Sequence, residues 1–210
     1  MERMQEWRIV GNPKLKKQQK PIVHKQVIPK ISIENIIIDN TNIDNNHLNG
    51  ENIALTNNYV LWCHDIYSKN WTINGYHKLC IINNVSHFWK LFNNLDKLGY
   101  RLNNLFFMKE GVEPIWEHEE NRNGGICSFK TDIDTALNLY ETFCVRMVCH
   151  QLVNQQDDIN GISFGPKNTS AIIKIWNKNH ENDLSVTLHP DILENYKHMS
   201  IKYKSNTPEY

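Results

Sequence analysis

The stretch KLCIINNVSHFWKLFNNLDKLGYRLNNLFFMK, residues 78–109, changes its hydrophobic period twice. Lys78 to Ile82 is a short apolar run; Val85, Phe88, Trp89, Phe92 and Leu95 then recur at spacings of three and four; Leu105 to Lys109 is a short apolar run again. Spacings of three and four bring side chains to one face of a helix, whereas a brief apolar run bounded by Asn and Gly suits a strand. The pattern predicts strand, helix over 85–96, strand.

Outward from this unit the same texture continues. Further strands are predicted at Tyr59 to Cys63, Gly125 to Lys130, Ile162 to Phe164, Ala171 to Trp176, Ser185 to Leu188 and Ser200 to Tyr203. A long helix is predicted from Ile133 through Leu137, Tyr140, Cys144, Met147 and Val148 to about residue 151, with Thr131 and Asp134 spaced to cap its first turn. Pro190 opens a third, short helix in which Ile192, Leu193 and Tyr196 share a face. Short links favour antiparallel pairing, and helices on one side leave the other face partly open. The expected class is α+β: an antiparallel β-sheet of about eight strands with three α-helices on one face.

At 210 residues the chain suits a single core with a tail. Residues 1–52 read as an N-terminal extension, basic from Lys14 to Lys30 and then Asn/Ile-rich, and either a flexible solubilising segment or a docking arm anchored by Val27, Ile28, Ile31 and Ile33. The domain proper is expected over 53–210. Lys and Arg total 23 and Asp and Glu total 23, so no overall field draws the protein onto long phosphate backbones and any nucleic-acid contact should be local. No apolar run nears the ~20 residues that cross a bilayer, and five cysteines without paired short spacing read as free thiols, so a cytoplasmic protein is expected. No metal set and no nucleophilic motif emerges; Cys144, Cys149 and His150 look like structural residues of the long helix. The chain is not expected to be an enzyme or to need a cofactor.

Six tryptophans each need a core position or a task. Trp62, inside a strand, is assigned to the core. Trp89 lies roughly 100° from the centre of its helix's apolar cluster, so it either packs under a loop or meets another protein. Trp116 and Glu117 sit together in a loop, where an indole can stack on guanine while the carboxylate accepts from N1–H and the exocyclic amine. A methylated, cationic guanine would gain from a second plate, and Trp71 in Ser68-Lys69-Asn70-Trp71-Thr72 supplies it. Strand alternation puts Ile172, Lys174 and Trp176 on one face; Lys167 and Lys174 either hold a short phosphate chain or are ordinary solvated charges.

These motifs, in order, resemble the translation initiation factor 4E family from about Tyr59 to Ser205: Tyr59-Val60-Leu61-Trp62, Ser68-Lys69-Asn70-Trp71, Val85-Ser86-His87-Phe88-Trp89, Pro114-Ile115-Trp116-Glu117, Asn123-Gly124-Gly125 and Ile172 to Trp176. The resemblance implies a strongly curved sheet with helices on its convex face and a pocket for the 7-methylguanosine cap of mRNA in its concave face. It implies that Trp71 and Trp116 stack on the base, Glu117 reads its edge, Trp176 touches the N7-methyl group and Lys167 meets phosphate. Ile126 and Ile172 stand where basic residues are expected, and Lys174 is expected to compensate. On the convex face Val85, Trp89 and Val145 match positions that take a helical peptide of a scaffold or repressor, although Ile53-Ala54-Leu55 replaces the usual upstream His-Pro pair. The Asn/Ile-rich composition points to a divergent member from an AT-rich genome, such as that of a large DNA virus or a protist. The leading expectation is a translation initiation factor that carries capped mRNA to a scaffold; a cap-occupying repressor and an interaction module without cap affinity are the alternatives.

Overall fold

The computed structural model describes residues 53–206 apart from 155, so the predicted N-terminal extension lies outside the described residues. Seven strands form one sheet: β1 (Ala54–Asp65), β2 (His77–Asn84), β3 (Asn103–Lys109), β4 (Gly125–Asp132), β5 (Ile159–Lys167), β6 (Ser170–Asn177) and β7 (Ile201–Ser205). Their spatial order is β2-β1-β3-β5-β6-β4-β7, with every pairing antiparallel. Register shifts in β1 and β5 bend the sheet.

Alternation along the strands sorts the two faces. On β6, Ala171, Ile173 and Ile175 are fully buried against the helices, while Ile172, Lys174 and Trp176 point the other way. Helix α1 (Val85–Phe92) starts where Asn84 Oδ1 accepts the His87 N–H, and buries Phe88, Leu91 and Phe92. A 3-10 turn over Leu95–Leu98 continues its apolar stripe. The long helix is α3 (Ile133–Val148), preceded by α2 (Glu119–Arg122) and followed by α4 (Leu184–Thr187) and α5 (Pro190–Asn195). On α3, Ala136, Leu139, Tyr140, Phe143, Cys144 and Met147 are buried at spacings of one, three and four, the face that meets the convex side of the sheet.

Several expectations are corrected. Ser185 to Thr187 is helical rather than a strand, with Leu188 its C-cap bridged to Val153, because Asp183 Oδ1 accepts from the Ser185 N–H and hydroxyl and so starts a turn in an apolar run that also fits a strand. Among the described residues the sheet therefore has seven strands, against the expected eight or so. The Thr131/Asp134 cap does not form: Asp132 is the N-cap, Thr131 bonds Thr135, and Asp134 pairs with Arg101. The helix ends at Val148, so Cys149 is its C-cap and His150, at φ 56°, lies beyond it. Trp62 is half-buried and packs on a small cluster of the concave side, with Phe106, Met108, Val112 and Trp176, rather than in the main core. All five cysteines are free; burial pushes the Cys63 thiol up to about 11 and those of Cys80 and Cys127 up to about 12, which keeps them protonated and unreactive.

Candidate functional site

Two loops and the strand face between them enclose a concave cavity of about 690 Å³. Trp71 stands in the β1–β2 loop and Trp116 in the β3–β4 loop, with 52% and 48% of their surfaces exposed. Large indoles held half open at the mouth of a cavity are available for stacking. Trp176 lies on the floor, 6% exposed, with its Nε1–H donating to Ser163 Oγ at 3.0 Å and its ring edge-on to Phe106. Lys167 and Lys174 complete one wall.

Five of the six pocket residues expected from the sequence thus line one cavity. Glu117 does not line it; its side chain is exposed, next to Trp116. Its carboxylate still acts on the aromatic end of the pocket: burial pushes the Tyr76 hydroxyl up to about 12, and the negative charge of Glu117 adds to the rise. Ile126 and Ile172, in place of basic residues, are part of the lining. Lys174 has its ammonium held below the usual lysine range, first by burial and then by the like charge of Lys167.

The structure adds residues that sequence reasoning missed. His64, fully buried, stacks on Trp71 with ring centroids 4.1 Å apart and planes 17° apart, while its Nε2 lies 2.9 Å from the Asn70 carbonyl oxygen. Tyr76 stands edge-on to both Trp71 and Phe106, giving an unbroken aromatic wall. Strand alternation places His64 on the same face as Trp62, but nothing in the sequence says that the loop folds Trp71 back onto it. Gly75 permits that fold: a Cβ there would sit 1.9 Å from the Asn70 carbonyl oxygen.

The Trp116 loop, expected to be irregular, contains α2, with His118 Nδ1 accepting the Glu120 N–H. It is fastened by buried asparagines. Asn121 donates to the carbonyls of Glu113 and Ile115, both at 2.8 Å, and Asn160 donates to Asn121 Oδ1 at 2.9 Å and to the Glu120 carbonyl. Asn206 donates to the Asn121 carbonyl at 2.9 Å, and Asn177 Oδ1 accepts the Gly125 N–H. Gly124 lies so close to β6 that a Cβ would be 1.7 Å from the Asn177 carbonyl oxygen. The Asn-rich composition disguised these residues among many exposed ones.

On the convex side, Trp89 is 41% exposed and packs edge-on against Phe88 at 5.3 Å, so it is only partly covered by its own helix. Val85 opens the same helix and is half-buried, its N–H bonded to the Ile53 carbonyl; Val145 is half-buried on α3.

A curved antiparallel sheet with helices behind and two half-open indoles over an aromatic-floored pocket in front defines a ligand-binding module. A family model described as eukaryotic initiation factor 4E matches residues 54–209, and the chain belongs to that family. A wheat (Triticum aestivum) eukaryotic translation initiation factor NCBP is 30% identical over 125 residues, covering 57% of this chain and 53% of that protein. The initiation factor 4E of Dictyostelium discoideum is 26% identical over 140 residues (61% and 54% covered), and a 4E homolog of Acanthamoeba polyphaga mimivirus 27% over 136 residues (53% and 50%). The matched regions span about half the length of these relatives. Among solved structures, C. elegans eIF4E-3 in complex with the 4E-binding protein Mextli and cap analog superposes with a TM-score of 0.62 at 18% identity, covering 72% of this chain and 91% of that one. Ascaris suum eIF4E-3 with the m2,2,7G cap gives 0.62 at 20% identity, covering 75% and 93%. At these identities the structures share the fold. Among the described residues no helix is long and apolar enough to cross a membrane.

Proposed function

We propose that this chain binds the 7-methylguanosine cap of mRNA in its concave pocket and serves translation initiation by linking capped mRNA to a scaffold protein. The observation that carries this reading is the pair of half-exposed indoles, Trp71 and Trp116, at the mouth of one cavity floored by Trp176. An alkylated guanine is a delocalised cation, and two electron-rich faces offer it stacking and cation–π attraction together. In this reading Glu117 turns to accept from the base's N1–H and amine, Trp176 meets the methyl group, and Lys167 and Lys174 hold the phosphates. Phosphate would also relieve the repulsion between those two lysines. Lys174→Ala is expected to weaken binding of 7-methyl-GTP while leaving 7-methylguanosine unaffected, measured by isothermal titration.

The defining test is tryptophan fluorescence quenching with 7-methyl-GTP and with GTP. A desolvated cation–π contribution of ~2 kcal/mol predicts about thirty-fold preference for the methylated nucleotide. Equal affinities would end the cap reading.

The partner surface is the convex patch of Val85, Trp89 and Val145, which suits the apolar anchors of a docked helical peptide. One feature favours a second reading, a cap-occupying repressor: the flank of this patch is built from Ile53 and the start of β1, where the family resemblance calls for His-Pro. Identifying what Trp89 captures from cell extract, against a Trp89→Ala control, separates the two: an initiation scaffold supports the first reading and its absence the second.

A further inference from the structure

The basic residues of the concave face continue beyond the pocket. Antiparallel register aligns Trp176, Ile126 and Lys204 in one row across β6, β4 and β7; the next row holds Lys174, Ser128 and Lys202; the next holds Ile172 and Lys130. Rows two residues apart are separated by about 6.8 Å and neighbouring strands by about 4.8 Å, so extended lysines in adjacent rows reach successive phosphates of a single strand. Lys204 already lines the cavity, whereas Lys202 and Lys130 are exposed outside it.

What sets these lysines apart is their alignment on the face of the pocket, not their lack of a carboxylate partner, which other exposed cations share. Arg101, Lys178 and Lys197 each pair with a carboxylate, Asp134, Glu120 and Glu194 respectively. Among the described residues, Lys130, Lys202 and Lys204 make no ion pair, and the one acid on this face of β4 to β7 is Asp132, at the far end beside Ser170. Four lysines, Lys174, Lys204, Lys202 and Lys130, thus lie on adjacent rows of one face with a single acid at its edge. On such a strip, phosphate contacts displace counterions and are not opposed by neighbouring carboxylates.

We infer that Lys202 and Lys130, continuing from Lys204 and Lys174, form a track for the phosphates of the RNA that follows the cap. This rests on the cap reading of the pocket for its starting point. The track runs across β7 and β4 from the row of Trp176 to the row of Ile172, toward the end of the strands that carries the β5–β6 hairpin. It makes the protein a reader of capped RNA rather than of the cap nucleotide alone, without base specificity.

The test compares the full chain with its Lys130→Ala/Lys202→Ala variant. The ligands are 7-methyl-GTP, a decameric RNA with a methylated cap, the same RNA with a triphosphate end, and an oligoglutamate peptide as competitor. The capped RNA is expected to bind the wild type roughly five-fold tighter than 7-methyl-GTP, and the variant to lose that gain and about 1.4 units of salt slope, two single-strand phosphate contacts. Affinity for 7-methyl-GTP should be unchanged, and a Lys→Arg pair should retain the gain. Capped RNA binding no tighter than 7-methyl-GTP, or a gain that survives in the alanine variant, would overturn the track while the pocket stands. Strip-dependent binding of the triphosphate RNA without any 7-methyl-GTP binding would uphold the track and remove the cap reading. Displacement of RNA by oligoglutamate at equal charge concentration would assign the strip to an acidic protein instead and overturn the inference.

Discussion

The two loops that present Trp71 and Trp116 expose almost the same fraction of their indoles but are built in opposite ways. The Trp71 loop is held by local bonds: Asn70 N–H to Ser68 Oγ and Thr72 N–H to Asn70 Oδ1, each spanning two residues and exposed, with the His64 ring as its one buried support. The Trp116 loop is held by buried amides from far along the chain, Asn160 and Asn206 bonding Asn121 across 39 and 85 residues. Local exposed bonds compete with water and contribute little rigidity; buried long-range ones are costly to leave unmade and fix geometry. The Trp116 plate is therefore the fixed jaw of the pocket and the Trp71 plate the compliant one.

The contrast can be broken most directly at the plates. Trp116→Ala should abolish retention on immobilised 7-methyl-GTP, losing up to ~3 kcal/mol of stacking, while Trp71→Ala should lose less because a compliant partner is replaced. Equal losses in a titration of the two variants would erase the distinction. Asn121→Ala strands the Glu113 and Ile115 carbonyls and the Asn160 amide, so about 3 kcal/mol of stability should vanish, seen as a fall of roughly 6–12 °C in thermal midpoint. His64→Ala should weaken cap binding by about 1 kcal/mol through loss of the ring behind Trp71, and His64→Phe should restore most of it. The smallest change, within about 0.5 kcal/mol in both stability and affinity, is expected for Ser68→Ala, whose single bond is solvent-exposed.

Hydrophobic period located α1 and the body of α3, Pro190 marked the short helix that follows it, and brief apolar runs between turn residues located all seven described strands, because burial on one face imposes a helical period and a short strand buries a compact run. It failed at Leu184–Thr187, where an Asp183 cap outweighed a strand-like composition, and at the Thr131 cap, where Asp134 found Arg101 instead. Trp71, Trp116, Trp176, Lys167 and Lys174, singled out by residue type and by the family resemblance, do line one cavity. His64, Tyr76 and the asparagine lock were not, since an Asn or His is identified as structural only by what surrounds it.

What the sequence by itself determined is the list of elements and the aromatic and basic side chains that line the cavity, both written in short-range spacing. The tertiary structure alone decided which of those side chains share a cavity, that Glu117 stands outside it, and which loop is rigid. The fastening of the Trp116 loop depends on contacts between residues 39 to 85 positions apart, and no local pattern encodes the burial that gives such contacts their strength.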